Sequence, residues 1–100
     1  MYILKINGGN VEIRTTGGTL VRKIGRGDAV FADINADQTK VLVTTIKGKV
    51  EIRTIKDSFI RSIGRDDAVQ ARWNGNDVVI QTNKGKTELR KESGTFIRNI

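Results

Sequence analysis

Three glutamates that could act in catalysis recur along the chain at equivalent positions of a repeat. Each of the three is followed by an arginine ten residues later. A carboxylate can serve as a general acid or base when it is held beside the reacting group. The spacing is instead centred on a predicted turn, which places each carboxylate opposite its arginine across an antiparallel hairpin. We therefore predict structural ion pairs between Glu12 and Arg22, Glu51 and Arg61, and Glu88 and Arg98.

The remaining residue types offer little catalytic chemistry. The chain contains neither Cys nor His, which removes thiol nucleophiles, the most frequent general base and the most frequent metal ligand. Asp66 and Asp67 are adjacent on a predicted link and do not form a dyad on one strand face. The tetrapeptide GRGD at 25–28 has the composition of an adhesive motif, but the corresponding GRDD at 64–67 indicates an ordinary link. We predict that the chain is not an enzyme and binds no metal or cofactor.

Basic residues are the second group that could do chemistry. The chain has 18 Lys and Arg against 11 Asp and Glu, a net charge of +7. Such a balance favours acidic partners, which include nucleic acid, anionic glycans and anionic membrane surfaces. Solubility alone is the other explanation. Only five aromatic residues are present per 100, all within predicted strands, which weakens the case for binding bases by stacking.

The elements that must position these residues repeat along the chain. VEIRT occurs at 11–15 and 50–54 and returns as TELRK at 87–91, a spacing of 39 and then 37 residues. A period in this range indicates stacked or radially arranged units. Each full unit contains four short Val-, Ile- and Thr-rich runs separated by Gly- and Asn-containing turns, which predicts antiparallel strands. We divide the single domain into a partial unit at 1–27 and full units at 28–64 and 65–100.

A four-stranded unit of this length, with an outer strand, a Gly-containing link and an inner strand, resembles a blade of a WD-repeat β-propeller. FIRSI, GRDD and AVQARW at 59–73 carry the resemblance. The sequence departs from that family's pattern because GR replaces Gly-His and no Trp-Asp dipeptide ends the third strand. The chain also resembles small repeat proteins encoded in phage and environmental genomes. Alanines recur on the inner strands, where strands near a propeller axis converge.

The number of units predicts assembly. Propellers typically have about 4 to 8 blades, and three, four and four strands do not close a ring. We predict that the ring closes by homo-oligomerisation, with a dimer of six blades favoured over a trimer, and an open solenoid or sandwich as the alternative architecture. The predicted function is a self-assembling structural or protein-interaction module without catalytic activity. The alternative is a binding module that captures an anionic polymer, either nucleic acid or glycan.

Strand order places the hairpins between second and third strands at the same end as the links between units. This end is predicted to form a basic rim that binds ligand through Arg26, Lys47, Lys49, Arg65, Lys84 and Lys86. Alternation along the inner strands makes Asp33 and Arg72 candidates to line a central channel. Trp73, the only Trp, is interpreted as a core residue because its equivalent is Ile34.

The N-terminal residues contain no long apolar run and no small-residue cleavage site, so no signal peptide or membrane partner is expected. The absence of Cys fits a reducing compartment. The expected location is the cytoplasm.

Overall fold

A computed structural model describes residues 1–100, and all of its regular elements are β-strands. None of these elements is a helix that could cross a membrane. The strands are β1 (Tyr2–Asn7), β2 (Asn10–Thr15), β3 (Leu20–Ile24), β4 (Ala29–Ile34), β5 (Lys40–Thr45), β6 (Val50–Thr54), β7 (Phe59–Ile63), β8 (Ala68–Asn74), β9 (Asp77–Thr82), β10 (Thr87–Lys91) and β11 (Phe96–Asn99).

The strands form three antiparallel sheets in chain order. Blade 1 is β1-β2-β3, blade 2 is β4-β5-β6-β7, and blade 3 is β8-β9-β10-β11. In blades 2 and 3 we call the four strands inner, second, third and outer. Blade 1 has no inner strand, so β1 takes the position of the second strand.

Blade 2 is covered on both faces by the other two blades. Its strands β5 and β6 are therefore buried almost throughout, whereas β9 of blade 3 alternates between buried and more exposed residues. Val, Ile and Thr suit this position because branched side chains fit a pleated surface that packs against another sheet. The face of a blade toward the preceding blade is called its leading face, and the face toward the following blade its trailing face.

Two apolar clusters hold the three blades together. Their members are almost fully buried, and burying a Val, Leu or Ile side chain contributes about 1.5–3 kcal/mol. The first cluster joins blade 1 to blade 2 and contains Val11, Ile13, Ile24, Ala29, Val41 and Val43. The second joins blade 2 to blade 3 and contains Leu42, Val50, Ile52, Ile63, Ala68, Ala71, Val78 and Ile80.

The predicted cross-strand ion pairs are wrong because each outer strand has a bulge, with one extra residue opposite the third strand. The register shifts between Ile13 and Arg14 in blade 1, and at the corresponding positions of the other blades. A bulge sets two residues against one, so a symmetric residue count from the turn no longer gives directly opposed partners. Arg22, Arg61 and Arg98 lie opposite Ile13, Ile52 and Leu89, and all three arginines are exposed.

The inner strands β4 and β8 lie beside each other, and small residues permit this close approach. Ala68 and Ala71 of β8 are 7% and 0% exposed and pack in the second apolar cluster, whereas Ala29 of β4, at 5% exposed, packs in the first. Each inner strand also has a bulge after its first alanine, which leaves Val30 and Val69 about half exposed, at 48% and 49%. The inner strands therefore combine small residues buried in the blade joints with exposed valines at the bulges.

Candidate interaction surfaces

The carboxylates singled out from the sequence form ion pairs within their own strand. Glu51 Oε1 accepts a hydrogen bond from Arg53 Nε at 2.9 Å, and both side chains are under 8% exposed. Residues two apart on a strand point to the same face, which brings the two groups together. Equivalent pairs join Glu12 to Arg14 and Glu88 to Arg90, also at 2.9 Å.

In blade 2 this pair is part of a connection between two blades. Arg53 Nη1 also donates to Asp57 Oδ1 at 3.0 Å, and the same carboxylate oxygen accepts a hydrogen bond from the backbone N–H of Gly25 in blade 1. An arginine between two carboxylates satisfies charges that would be costly to bury alone. The leading face of blade 2 therefore carries a polar network directed at the preceding blade.

The corresponding network on blade 1 faces no preceding blade. The hydrogen bond from Arg14 lowers the pKa of Glu12 below its ordinary value, against the opposing effect of burial. The side chain of Arg14 is 29% exposed, compared with 7% for Arg53. Elsewhere, the hydroxyl and the backbone N–H of Thr39 lower the pKa of Asp37 in the turn after β4.

The second-to-third hairpins and the links between blades meet at one end, as the strand order predicts. The carbonyl oxygen of Gly9 accepts a hydrogen bond from Ala29 N at 2.9 Å, and that of Gly48 accepts one from Ala68 N at 3.0 Å. Both glycines have positive φ, and an added Cβ would lie 2.1 Å from Gly27 O or 2.4 Å from Asp66 O. The hairpin of each blade thus lies directly against the next link.

This end carries the predicted rim residues, and the structure brings part of the set together. Arg65, Lys84 and Lys86 line one pocket of about 200 Å³, together with Asp67, Glu88, Phe96 and Asn99. Of the remaining three, Arg26 lies over the ring of Phe59 at 5.9 Å, and Lys47 and Lys49 are exposed on the preceding hairpin. The pocket combines three cations with two carboxylates, so its electrostatic attraction for an anion is partly offset.

The two channel candidates have different surroundings. Asp33 accepts a hydrogen bond from Trp73 N at 2.8 Å, which places its carboxylate at the joint between blades 2 and 3. Arg72 is exposed, and its guanidinium lies 5.7 Å from the ring of Phe31. The two residues form no ion pair with each other. Trp73 packs against the second apolar cluster.

The leading face of blade 1 and the trailing face of blade 3 are the two outer faces of the stack. Residues on these outer faces are more exposed than residues at the same strand positions of the internal joints. Ile3 on the leading face of blade 1 is 49% exposed, whereas Val41 and Val78 at the same position of blades 2 and 3 are 0% exposed. On the trailing face of blade 3, Val79 and Leu89 are half-buried. Their equivalents in blade 2, Leu42 and Ile52, are 0% exposed.

These outer faces are also more polar than the internal ones. Lys5 replaces Val43 on the leading face of blade 1, and Thr87 replaces Val50 on the trailing face of blade 3. Gly85 has the backbone geometry of Gly48, with φ of +79°, but nothing lies within 4 Å of its added Cβ. The outer faces thus have the strand positions of the internal joints, carry partly different side chains and are covered by no other blade of this chain.

Sequence reasoning missed the two features that define the joints. One is the Glu-X-Arg pairing within a strand, which the repeated EIR and ELR triplets could have revealed. The other is the contact of Gly9 and Gly48 with the links, for which the recurrence of Gly in every second-to-third hairpin was the signal.

Comparison with known proteins supports the fold. No protein-family model matches the chain, and neither does any curated protein sequence. Among solved structures, the chain is similar to the WD40 domain of Pan2 from Neurospora crassa, with 12% identity and a TM-score of 0.75. The match covers 100% of this chain and 35% of that one, so the chain spans about a third of that structure's length. The three sheets have the fold of β-propeller blades such as those of a WD40 domain, which confirms at the level of fold the resemblance seen in the sequence.

Proposed function

We propose that the chain is a self-assembling β-propeller module that acts by binding other proteins and not by catalysis. In this proposal, two copies close a ring of six blades. The trailing face of blade 3 in each copy packs on the leading face of blade 1 in the other. The observation that carries the proposal is the exposure of Ile3 at a position that is fully buried in both other blades.

The polar network on blade 1 supports this arrangement. Its Glu12–Arg14 pair has the same 2.9 Å geometry as the pairs that are buried at the two internal joints. A charged pair held in place before contact loses little side-chain entropy when a partner covers it. The leading face of blade 1 is therefore organised to receive a blade.

The test is native mass measured by size-exclusion chromatography with light scattering. The expected mass is twice the 11.1 kDa of one chain, independent of concentration. We expect Ile3→Glu to give a monomer, because it places a charge in the proposed joint. Ile46→Glu is the matched control, since Ile46 is 74% exposed on a hairpin tip outside both outer faces. A wild-type monomer at every concentration, or dissociation by both substitutions alike, would refute the proposed ring.

A second candidate function is the capture of an anionic polymer at the basic rim. The pocket that brings Arg65, Lys84 and Lys86 together favours it, because convergent cations are suited to phosphate or sulfate groups. Assembly into a ring would increase the number of such pockets, and several weak sites on one polymer strengthen each other.

This candidate is tested by binding to heparin and to duplex DNA over a range of salt concentrations. We expect retention that falls steeply with salt, and replacement of Lys84 and Lys86 by Gln to reduce the DNA salt slope by about two. Lys56→Gln with Lys91→Gln is the control, since both lysines are exposed at the opposite end. Passage of the wild type through both columns at low salt excludes this function.

A further inference from the structure

Strand β1 has an unpaired edge at a place where both other blades have a strand. In blade 2, the second strand β5 pairs with β4 on one side and β6 on the other, and β9 in blade 3 is flanked by β8 and β10. β1 pairs with β2 alone. An unpaired strand edge presents a row of N–H and C=O groups that can add another strand.

The hydrogen bonding of β1 shows which of its groups face the open edge. Tyr2 N donates to the side chain of Gln38 at 3.2 Å, so the backbone of Tyr2 points away from β2. The N–H and C=O of one residue in an antiparallel strand point to the same side, and successive residues alternate. The backbone groups of Leu4 and Ile6 therefore also face the open edge.

The exposure of Asn7, the last residue of β1, also indicates that no strand lies beside this edge. Thr45 and Thr82, which lie opposite the first residue of an inner strand, are 2% and 5% exposed. Asn7 takes their position in blade 1 and is exposed. The inner strands thus cover this position in blades 2 and 3, and nothing covers it in blade 1.

The two occupied edges define the strand that fits the open one. β4 and β8 bind their neighbours in the same register, each with a bulge after its first alanine. Their sequences share the pattern Asp-Ala-Val-X-Ala-X-apolar, at 28–34 and 67–73. The second alanine is fully buried in blade 3, where the chain passes close to the neighbouring inner strand.

We propose that the free edge of β1 is a strand-addition site for an extended peptide segment of the pattern Asp-Ala-Val-X-Ala-X-apolar. The segment runs antiparallel to β1, with its first alanine opposite Asn7, its second opposite Lys5 and its apolar residue opposite Ile3. Backbone hydrogen bonds to Leu4 and Ile6 supply affinity, and the alanines supply selectivity because a larger side chain would meet β4. This site is separate from the blade faces of the proposed ring.

The first test uses a fluorescein-labelled synthetic peptide with the sequence of residues 27–35, titrated with the intact protein and followed by anisotropy. In the β4 register, the N–H groups of Phe31 and Asp33 point toward the second strand, and that of Ala32 points away. N-methylation at Phe31 and Asp33 of the peptide should weaken binding about 30-fold, because two donors are lost. N-methylation at Ala32 is the matched control and should have a much smaller effect.

Hydrogen exchange locates the bound peptide. We expect the amides of Leu4 and Ile6 to become protected when the peptide is added, and those of β11 to remain unchanged. Absence of binding, equal binding of a scrambled peptide, or protection of Leu4 and Ile6 before the peptide is added would each overturn the proposal. The result is independent of the ring, because native mass reports assembly and exchange at these amides reports the edge.

A covalent version tests the same edge without depending on the affinity of a short free peptide. Residues 27–39 are added in front of Tyr2, so that the chain carries its own inner strand for blade 1. We expect the melting temperature to rise by about 5 °C or more. The same extension with Pro at the positions of Phe31 and Asp33 lacks the two donors and should give no rise. An equal rise with both extensions would contradict strand addition.

Discussion

Substitution of the hairpin glycines measures how much the close contact between neighbouring blades contributes to the free energy of unfolding. Gly48 and Gly85 occupy the same hairpin position in blades 2 and 3, with φ of +83° and +79°. Only Gly48 contacts a following link, where an added Cβ would lie 2.4 Å from Asp66 O. Replacing each with alanine therefore imposes the same backbone strain and differs in the contact with the next blade.

The magnitudes follow from these two terms. An L-residue in the left-handed region costs about 1–2 kcal/mol, so Gly85→Ala should lower the free energy of unfolding by about that amount. Gly48→Ala adds a steric overlap and disturbs the 3.0 Å hydrogen bond from Ala68 N. These effects are worth about 1–3 kcal/mol more, for a total of about 2–5 kcal/mol.

The assay is urea unfolding followed by both far-UV circular dichroism and the fluorescence of Trp73, which lies at the joint between blades 2 and 3. The difference between the two variants isolates the joint, because the backbone strain cancels. Equal destabilisation by Gly48→Ala and Gly85→Ala would falsify the close approach of hairpin and link. A Gly85→Ala variant less stable than Gly48→Ala would contradict the assignment of blade 3's hairpin as open.

Three further outcomes are expected. Arg53→Met should reduce the free energy of unfolding by about 3–5 kcal/mol because it leaves a buried carboxylate without its partner. Arg14→Met on the open face of blade 1 should reduce it clearly less. The two variants are compared by their urea unfolding midpoints. The pKa of Glu12 is lowered in the folded state, so its contribution to stability is present above the ordinary carboxyl pKa and is lost as the pH falls through the lowered value. Glu12→Gln should therefore flatten the acid side of the stability–pH curve. Asp33→Ala removes the acceptor for Trp73 N and should cost about 1–3 kcal/mol with a change in Trp fluorescence; an unchanged midpoint and spectrum would show that this hydrogen bond does not hold the joint.

The sequence predicted the strands and their order well because both depend on repeated local signals. Branched residues in short runs and Gly or Asn at turns are properties of each unit alone, and three units repeat them. The resemblance to WD-repeat blades followed from the same signals and was confirmed by the structural comparison.

The contacts between strands and blades were not predictable in the same way. The spacing between Glu12 and Arg22 is the same with or without a bulge, so counting residues could not reveal that Arg14 is the true partner. The environment of Asp33 depends on a residue 40 positions away in another sheet, which periodicity does not encode. The basic rim could be placed from strand order, and its use in binding stays a prediction.

The joints between blades also have a consequence for how such a chain can change over generations. Each joint uses the same parts, a hairpin carbonyl, a link and two apolar faces, so the middle unit contains both halves of a complete joint. Duplication of the gene segment for residues 28–64 would insert one more blade without requiring a new kind of contact. In repeat proteins, stability is approximately a sum over units and their neighbours. On this basis the joints are compatible with a change in blade number by duplication of one unit.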